Sequence, residues 1–169
     1  MTALAYAQIE SPVGPLVLAA DDRALRVLAF GTGRRARQID PTWSPGAGGC
    51  LGAAVDELSA YFAGRLRTFT TPVEPEGTPF QRLVWEALRR IPYGDTISYG
   101  ELARRIRKPD AVRAVGAANG ANPIAIIVPC HRVIGANGSL TGFGGGLPVK
   151  KALLALERGE RSLLEGLST

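Results

Sequence analysis

The chain has 169 residues, 46% of them hydrophobic, a net charge of +5 and a pI near 9.7. That is room for one domain, or two small ones sharing an interface, with enough apolar material to bury a real core. No 18-residue apolar run exists, and the N-terminal "MTALAYAQIESPVG" carries no basic leader, long apolar segment or small-residue cleavage site, so a cytoplasmic globular protein without a membrane partner is expected.

The positive charge comes mostly from arginine, since the only lysines are Lys108, Lys150 and Lys151. Arginine forks suit phosphate oxygens and base edges, which is compatible with a polyanionic partner, although many basic proteins touch no nucleic acid. The two cysteines, Cys50 and Cys130, are read as thiols rather than as a disulfide.

In chain order, "AYAQIE", "LVLAA" and "ALRVLAF", separated by the turn signals "SPVGP" and "DDR", predict a three-stranded antiparallel meander. Residues 31–49, with "GTGRR" and "PTWSPGAGG", read as loop. Leu51, Ala54, Val55, Leu58, Tyr61 and Phe62 then fall at helical spacing up to Gly64, so a helix is expected to cover the sheet. "TTPVEPEGT" (70–78) carries no periodicity and reads as a linker to a second unit.

Thr78 as N-cap and Pro79 at the first helical position open a helix whose Phe80, Leu83, Val84, Ala87, Leu88 and Ile91 form one apolar stripe. "SYGE" (98–101) matches a capping box and leads a short helix with Leu102, Ala103 and Ile106 inward. Asp110 is expected to cap another short helix ending at "NGANP". Two short capped helices about four residues apart match a helix-turn-helix, a moderately specific pattern. With Val112 and Val115 inward, the second helix turns Arg113, Gly116, Ala117 and Gly120 outward on one nearly bare face. Helical glycine costs about 0.5–1 kcal/mol relative to alanine, so this face suggests that another surface approaches the backbone closely. A nucleic-acid groove and a neighbouring helix both satisfy that condition.

The chemistry-bearing stretch is "AIIVPCHRVIG" (125–135), where His131, the single histidine of the chain, directly follows Cys130. A cysteine thiol has an ordinary pKa of about 8.5 and needs a base or a positive environment to become a nucleophile. Adjacent side chains diverge on both strands and helices, so a direct contact would need a turn, and a bridging water is the better arrangement. Buried Cys and His as simple packing is the competing reading. Pro129 weighs against it, because it stops the apolar run from pairing as a central strand and places the pair where the backbone leaves the core. A last amphipathic helix begins at Pro148, buries Val149, Ala152, Leu153 and Leu156, and carries Glu157 in its final turn. A carboxylate there opposes the helix dipole and calls for water or a cationic partner. Glu157 orienting His131, and His131 activating Cys130 through water, would make an orienter, base and nucleophile series.

"PCHRVIG", with Arg113 in "VRAVG", "NPIAIIV", "ISYG" and "TGFGGGL", resembles the O6-alkylguanine-DNA alkyltransferase (methylated-DNA–protein-cysteine methyltransferase) family in its short bacterial form. The motifs occur in the family's order over residues 78–157, and "SPVGPL" and "AYFAGRL" extend a looser likeness to the N-terminal third. The resemblance implies an α+β fold. Residues 1–75 would form an N-terminal domain, a small antiparallel sheet with a covering helix. Residues 76–169 would form a mostly helical, winged-helix-like domain with the helix-turn-helix and the alkyl acceptor.

It also implies direct repair without a cofactor or metal, on double-stranded DNA bearing O6-alkylguanine, with O4-alkylthymine as a second candidate lesion. The protein would act as a monomer, with room for cooperativity on DNA. Cys130 would keep the alkyl group irreversibly, so that each molecule acts once. His131 would take the thiol proton through water, Glu157 would hold its tautomer, and Tyr99 would donate to N3 of the leaving guanine. Arg113 would enter the base stack in place of the flipped nucleotide, on the Gly116, Ala117 and Gly120 face. Asn122 would hold the turn before the active-site segment. Backbone groups of Cys130, Val133 and Gly144 would line the base pocket with Phe143.

Phe143 stands where the family usually has tyrosine, which removes a hydroxyl contact, and Ala125 stands where some members have a second proline. Trp43, Trp85 and Arg132 are assigned to packing and ion pairing. Two alternatives stay open at this level: a non-enzymatic lesion-binding relative, which retention of Cys130, His131 and Glu157 disfavours, and a Cys-His hydrolase unrelated to DNA.

Overall fold

The expected meander forms. In a computed structural model that describes residues 3–33, 36–140 and 143–160, β1 (Ala5–Ile9), β2 (Leu16–Ala20) and β3 (Leu25–Phe30) pair antiparallel in sequence order. Ser11 folds the first turn by donating its hydroxyl to the Gly14 carbonyl, with Gly14 at φ +96° where a side chain would be strained. Asp21 folds the second by accepting from the Arg23 and Ala24 amides. The central strand β2 is buried along its whole length. A short fourth strand that the loop reading of 31–49 did not include, β4 (Ser44–Pro45), adds parallel to β1. Two residues give no periodicity to read, and proline is admissible there because β4 lies on the sheet edge. Helix α1 (Gly49–Phe62) buries Leu51, Ala54, Leu58, Tyr61 and Phe62 against the sheet, as its spacing predicts.

The segment read as a linker is part of the sheet edge. Leu25 donates to the Pro72 carbonyl and accepts from the Glu74 amide, while Thr70 and Thr71 are bound through amide and hydroxyl to the Glu57 carboxylate on α1. Further along β3, Leu28 donates to the Pro123 carbonyl at 3.0 Å and accepts from the Ala125 amide at 2.8 Å. A bulge at Arg26, between the Ala20–Leu25 and Ala19–Val27 pairs, shifts the strand's alternation so that Leu25 and Leu28 can both bond outward. An edge strand that would otherwise expose unpaired amides is thereby closed by two segments from farther along the chain. One hydrophobic cluster runs through both halves.

Helix α2 (Pro79–Arg89) opens on a full capping box between Thr78 and Gln81. Its buried face is Val84, Trp85, Ala87 and Leu88 with Ile91 beyond, rather than the stripe containing Leu83, which is 41% exposed. Trp85 accounts for the rotation: its ring is buried and its indole N–H donates to the Ala118 carbonyl at 2.8 Å, so the larger aromatic surface takes the inward position.

A two-residue strand β5 (Ile97–Ser98) leads into α3 (Tyr99–Arg105), and a six-residue turn, 106–111, leads to α4 (Val112–Gly120). Ser98 caps α3 by accepting from the Glu101 amide, but the reciprocal half of the expected box is missing, because the Glu101 carboxylate is held by Arg104 and Arg105 one turn on. Asp110 does not cap α4; the N-cap position is Ala111, and no side chain bonds there. Val112 is 38% exposed, and the inward residues are Val115, Ala118 and Asn119. After a 3-10 turn at Cys130–Arg132, β6 (Val133–Ile134) pairs parallel with β5, and α5 (Leu147–Glu157) closes the fold. No helix among the described residues is long and apolar enough to cross a membrane.

Gly77, ahead of the α2 cap, lies under the Trp85 ring, and a Cβ there would clash with that ring. Gly77→Ala is therefore expected to destabilise the fold by about 1–3 kcal/mol, read as a lower midpoint in urea with an unchanged slope.

Candidate active site

The Cys130 segment begins where α4 ends. Asn122 donates from Nδ2 to the Val128 carbonyl at 2.7 Å and accepts the Ile124 amide at Oδ1 at 3.0 Å, which closes residues 123–128 into a compact turn. The run "AIIV" thus forms no strand, and the single bridge to Leu28 falls on Ile124 just before it. Ile126 sits at φ +72°, a conformation that a β-branched residue adopts only when its surroundings impose it. Here the surroundings are the Asn122 clasp, the β3 edge and the burial of Ile124, Ala125, Ile126, Ile127 and Val128. Pro129 ends the turn, and Cys130 starts the 3-10 turn with its amide bonded to the Val128 carbonyl.

Cys130 is 7% exposed. Burial pushes its thiol above the ordinary cysteine range, against the opposing pull of a hydrogen bond with the Asn122 side chain and of the Lys150 charge. A thiol in this state holds its proton at neutral pH and needs a base to release it.

His131 is fully buried, and its Nε2 lies 2.7 Å from Glu157 Oε2. A carboxylate only accepts, so Nε2 carries the proton and Nδ1 the lone pair. Nδ1 is buried and has no hydrogen-bond partner among the described residues. Burial lowers the imidazole pKa more than the hydrogen bond and charge of Glu157 raise it, with Arg132 and Lys150 adding to the fall. The ring is therefore a neutral base at neutral pH.

Of water or a cationic partner, the two expectations for Glu157 at its helix C-terminus, the structure supplies the cation. Arg132 donates from Nε to Oε1 at 2.8 Å and from the second nitrogen of its fork to Oε2 at 3.1 Å, and its remaining nitrogen donates to the Ile91 carbonyl. The Gly94 amide reaches Oε1 at 3.4 Å, and the Tyr61 hydroxyl donates to Oε2 at 2.7 Å. Burial opposes ionisation of this carboxyl, but the His131 hydrogen bond and the bonds and charge of Arg132 outweigh it and hold the group well below the usual carboxylate range.

Three members of this neighbourhood escaped the sequence reading. Tyr61 was assigned to the apolar stripe of α1, and nothing in its spacing marks its hydroxyl. Lys150 is fully buried with Nζ donating to the Val133 carbonyl at 2.7 Å. Its signal was available, since Lys150, Leu153 and Glu157 share one helical face. Asn119, on the inward side of α4 one turn past Val115, is 4% exposed and donates to the Cys130 carbonyl at 3.4 Å.

The remaining candidates spread around this centre. Tyr99 is half-buried at the start of α3, and a Cβ on Gly116 of α4 would lie 3.9 Å from its ring, so these two helices approach closely at that point. Arg113, Ala117 and Gly120 are exposed on α4 and Gly116 is half-buried, so the four do share a face, which Val112 extends. Val133 is buried, with its carbonyl engaged by Lys150. Phe143 packs edge-on against Phe30 at 5.5 Å, and Gly144 follows it in the same half-buried loop. Thr141 and Gly142 of the same motif, and Arg34 and Arg35 of "GTGRR", lie outside the described residues. Trp43 packs near Tyr6 beneath the Arg37 guanidinium, and Cys50 is half-buried in the first turn of α1.

The chain matches two family profiles in succession: the ribonuclease-like domain of 6-O-methylguanine DNA methyltransferase over residues 4–75, and the DNA binding domain of the same family over residues 79–159. It is 51% identical over 152 residues to a methylated-DNA–protein-cysteine methyltransferase of Methanosarcina acetivorans, covering 90% of this chain and 97% of the relative. It is 53% identical over 156 residues to the protein of that name from Mycobacterium tuberculosis, covering 90% and 92%. Among solved structures, Mycobacterium tuberculosis O6-methylguanine methyltransferase superposes with a TM-score of 0.84 at 52% identity, over 93% of this chain and 94% of that one. Mycobacterium tuberculosis OGT in complex with DNA gives a TM-score of 0.86 at 50% identity, over 95% and 98%. The α+β architecture expected from the sequence is the one observed, and the chain belongs to the 6-O-methylguanine DNA methyltransferase family.

Proposed function

We propose that this chain is a single-use DNA repair methyltransferase of the cytoplasm, which binds duplex DNA, flips out an O6-alkylguanine and moves the alkyl group to Cys130. Family membership and relatives named methylated-DNA–protein-cysteine methyltransferase at about half identity support the methyltransferase activity. The observation that carries the mechanism is the polarity of His131: its proton faces Glu157, which leaves the lone pair on a buried Nδ1 that has no hydrogen-bond partner among the described residues.

In this reading a water takes the Cys130 proton and passes one to Nδ1, while Glu157 stabilises the imidazolium that forms. Sγ attacks the alkyl carbon in line as the bond from carbon to O6 breaks. The electron pair returns to the guanine, stabilised by a hydrogen bond that Tyr99 donates to N3; N1 then takes a proton from solvent as the His131 imidazolium gives its own back. The products are an S-alkylcysteine and an unmodified base. A thioether offers no carbonyl for water to attack, so the protein is consumed. The exposed α4 face with Arg113 is the element we assign to the minor groove, and Arg113 fills the gap in the stack. Asn122 and Asn119 couple that helix to the nucleophile, one through the turn and the other through the Cys130 carbonyl. The basic charge supplies sequence-independent phosphate attraction.

With duplex DNA containing O6-methylguanine, intact-mass measurement is expected to show one CH₂ gained per protein, located at Cys130. Cys130→Ala is expected to bind the lesion and repair none of it. A protein that binds without gaining mass is the lesion-binding relative instead, and repeated turnover on an acyl substrate would reveal a hydrolase.

Arg113→Ala is expected to slow repair in duplex DNA by about tenfold or more while leaving reaction with the free alkylated base nearly unchanged, because only the duplex needs its gap filled. Equal losses on both substrates would remove the residue from that role.

The pH dependence follows from the directions of the shifts. The folded His131 pKa is below its ordinary 6.5, so the transfer rate is expected to hold its neutral-pH value into mildly acidic solution and to fall only below that lowered pKa. For stability the sign is fixed by proton uptake: below pH 6.5 the unfolded chain protonates His131 while the folded one does not, so folding loses stability as pH falls through that window. Glu157, depressed from 4.5, adds a second loss once pH falls below about 4.5. Rapid-quench transfer rates and urea titrations across this range check both.

A further inference from the structure

We propose that Tyr61 is a positioning residue of the transfer reaction, by which the N-terminal half sets the basicity of the His131–Glu157 pair. The inference rests on the reading of Cys130 and His131 given above and deepens it. Tyr61 lies on α1, yet its hydroxyl reaches across the chain to donate at 2.7 Å to Oε2 of Glu157, the same oxygen that accepts from His131 Nε2. Tyr61 is fully buried, so no water substitutes for the bond at low cost. Its ring is fixed by edge contacts with Phe62 and Tyr93 and by a tilted contact with Phe69, which hold the hydroxyl at one place.

The chemical consequence has a definite sign. A carboxylate oxygen that accepts a phenol proton shares its charge with that donor and has less to offer the imidazole. With Tyr61 in place, Glu157 orients His131 without making it so basic that it is protonated at rest. Removing the hydroxyl leaves the oxygen to His131 and Arg132, strengthens the imidazolium and raises the His131 pKa. The other groups around the carboxylate stay as they are: Arg132 on the 3-10 turn, the Gly94 amide and Tyr93 in the turn after α2, Arg67 against the Tyr93 ring, and Arg158 next along the chain. Lys150 and Cys130 complete the charged and titratable groups that act on His131 or on its partner thiol.

A role in packing alone and a role in positioning separate cleanly in Tyr61→Phe, which keeps the ring and removes only the donor. The experiment measures single-turnover methyl transfer from O6-methylguanine duplex to the 169-residue chain, wild type and variant, from below the wild-type acid limb up to neutral pH, with thermal melting alongside. The acid limb of the rate profile is expected to move up by about 0.5–1 pH unit in the variant, a three- to tenfold slower transfer below the limb, with rates converging at neutral pH and above. An unmoved limb, whether the melting temperature falls or not, overturns the proposal and returns Tyr61 to packing; a limb moved downward overturns its sign. If wild-type protein itself transfers no methyl group, the mechanism proposed above has failed, which is a different outcome from an unmoved limb.

Discussion

The buried carboxylate of Glu157 is the interaction around which this molecule is arranged. It takes hydrogen bonds from Tyr61 on α1, Gly94 after α2, and His131 and Arg132 on the 3-10 turn, while standing on α5 itself. A charge taken out of water is tolerated only when its lone pairs are used, and breaking such a network by removing one ion of the pair costs about 3–5 kcal/mol. The same bonds that make the charge tolerable fix the histidine tautomer. Tolerance of the buried charge and the state of His131 therefore rest on one set of contacts, and the two halves of the chain meet in it.

A second junction between the halves is the outer edge of β3. The bulge at Arg26 lets the strand bind residues 72–74 and then 123–125, so the N-terminal sheet becomes the wall on which the turn before Cys130 is built. That wall helps to explain how Ile126 is held at positive φ: the Asn122 clasp on one side and Leu28 on the other leave the chain no relaxed path. From α4, backbone movement has a short mechanical route to Cys130, through Asn122 and through Asn119. Helix α4 and the Cys130 segment are thus joined by side-chain hydrogen bonds at two points.

Much of the secondary structure was legible because it depends on local patterns. Alternation over residues 5–30, the Thr78–Pro79 start of α2 and the stripe of α1 reappear as strands and helices with nearly the expected bounds. Where local reading departed from the structure, a competing contact, tertiary for Trp85 and within the helix for Glu101, had taken precedence. Trp85 displaced Leu83 because its indole found the Ala118 carbonyl, and Glu101 left the capping box for two arginines. Residues 70–78 looked like a linker because strand-edge pairing by a few amides leaves no hydrophobic period.

The sequence by itself determined the adjacency of Cys130 and His131, the arginine-bearing bare helix and the need of Glu157 for water or a cationic partner, since each follows from residue type, spacing and the direction of a helix dipole. Only the tertiary structure decided which partners those were. Tyr61 is 96 residues from Glu157 and His131 is 26. Hydrogen bonds at such separations leave no periodic trace, because they depend on where whole elements pack rather than on the order of residues within one of them.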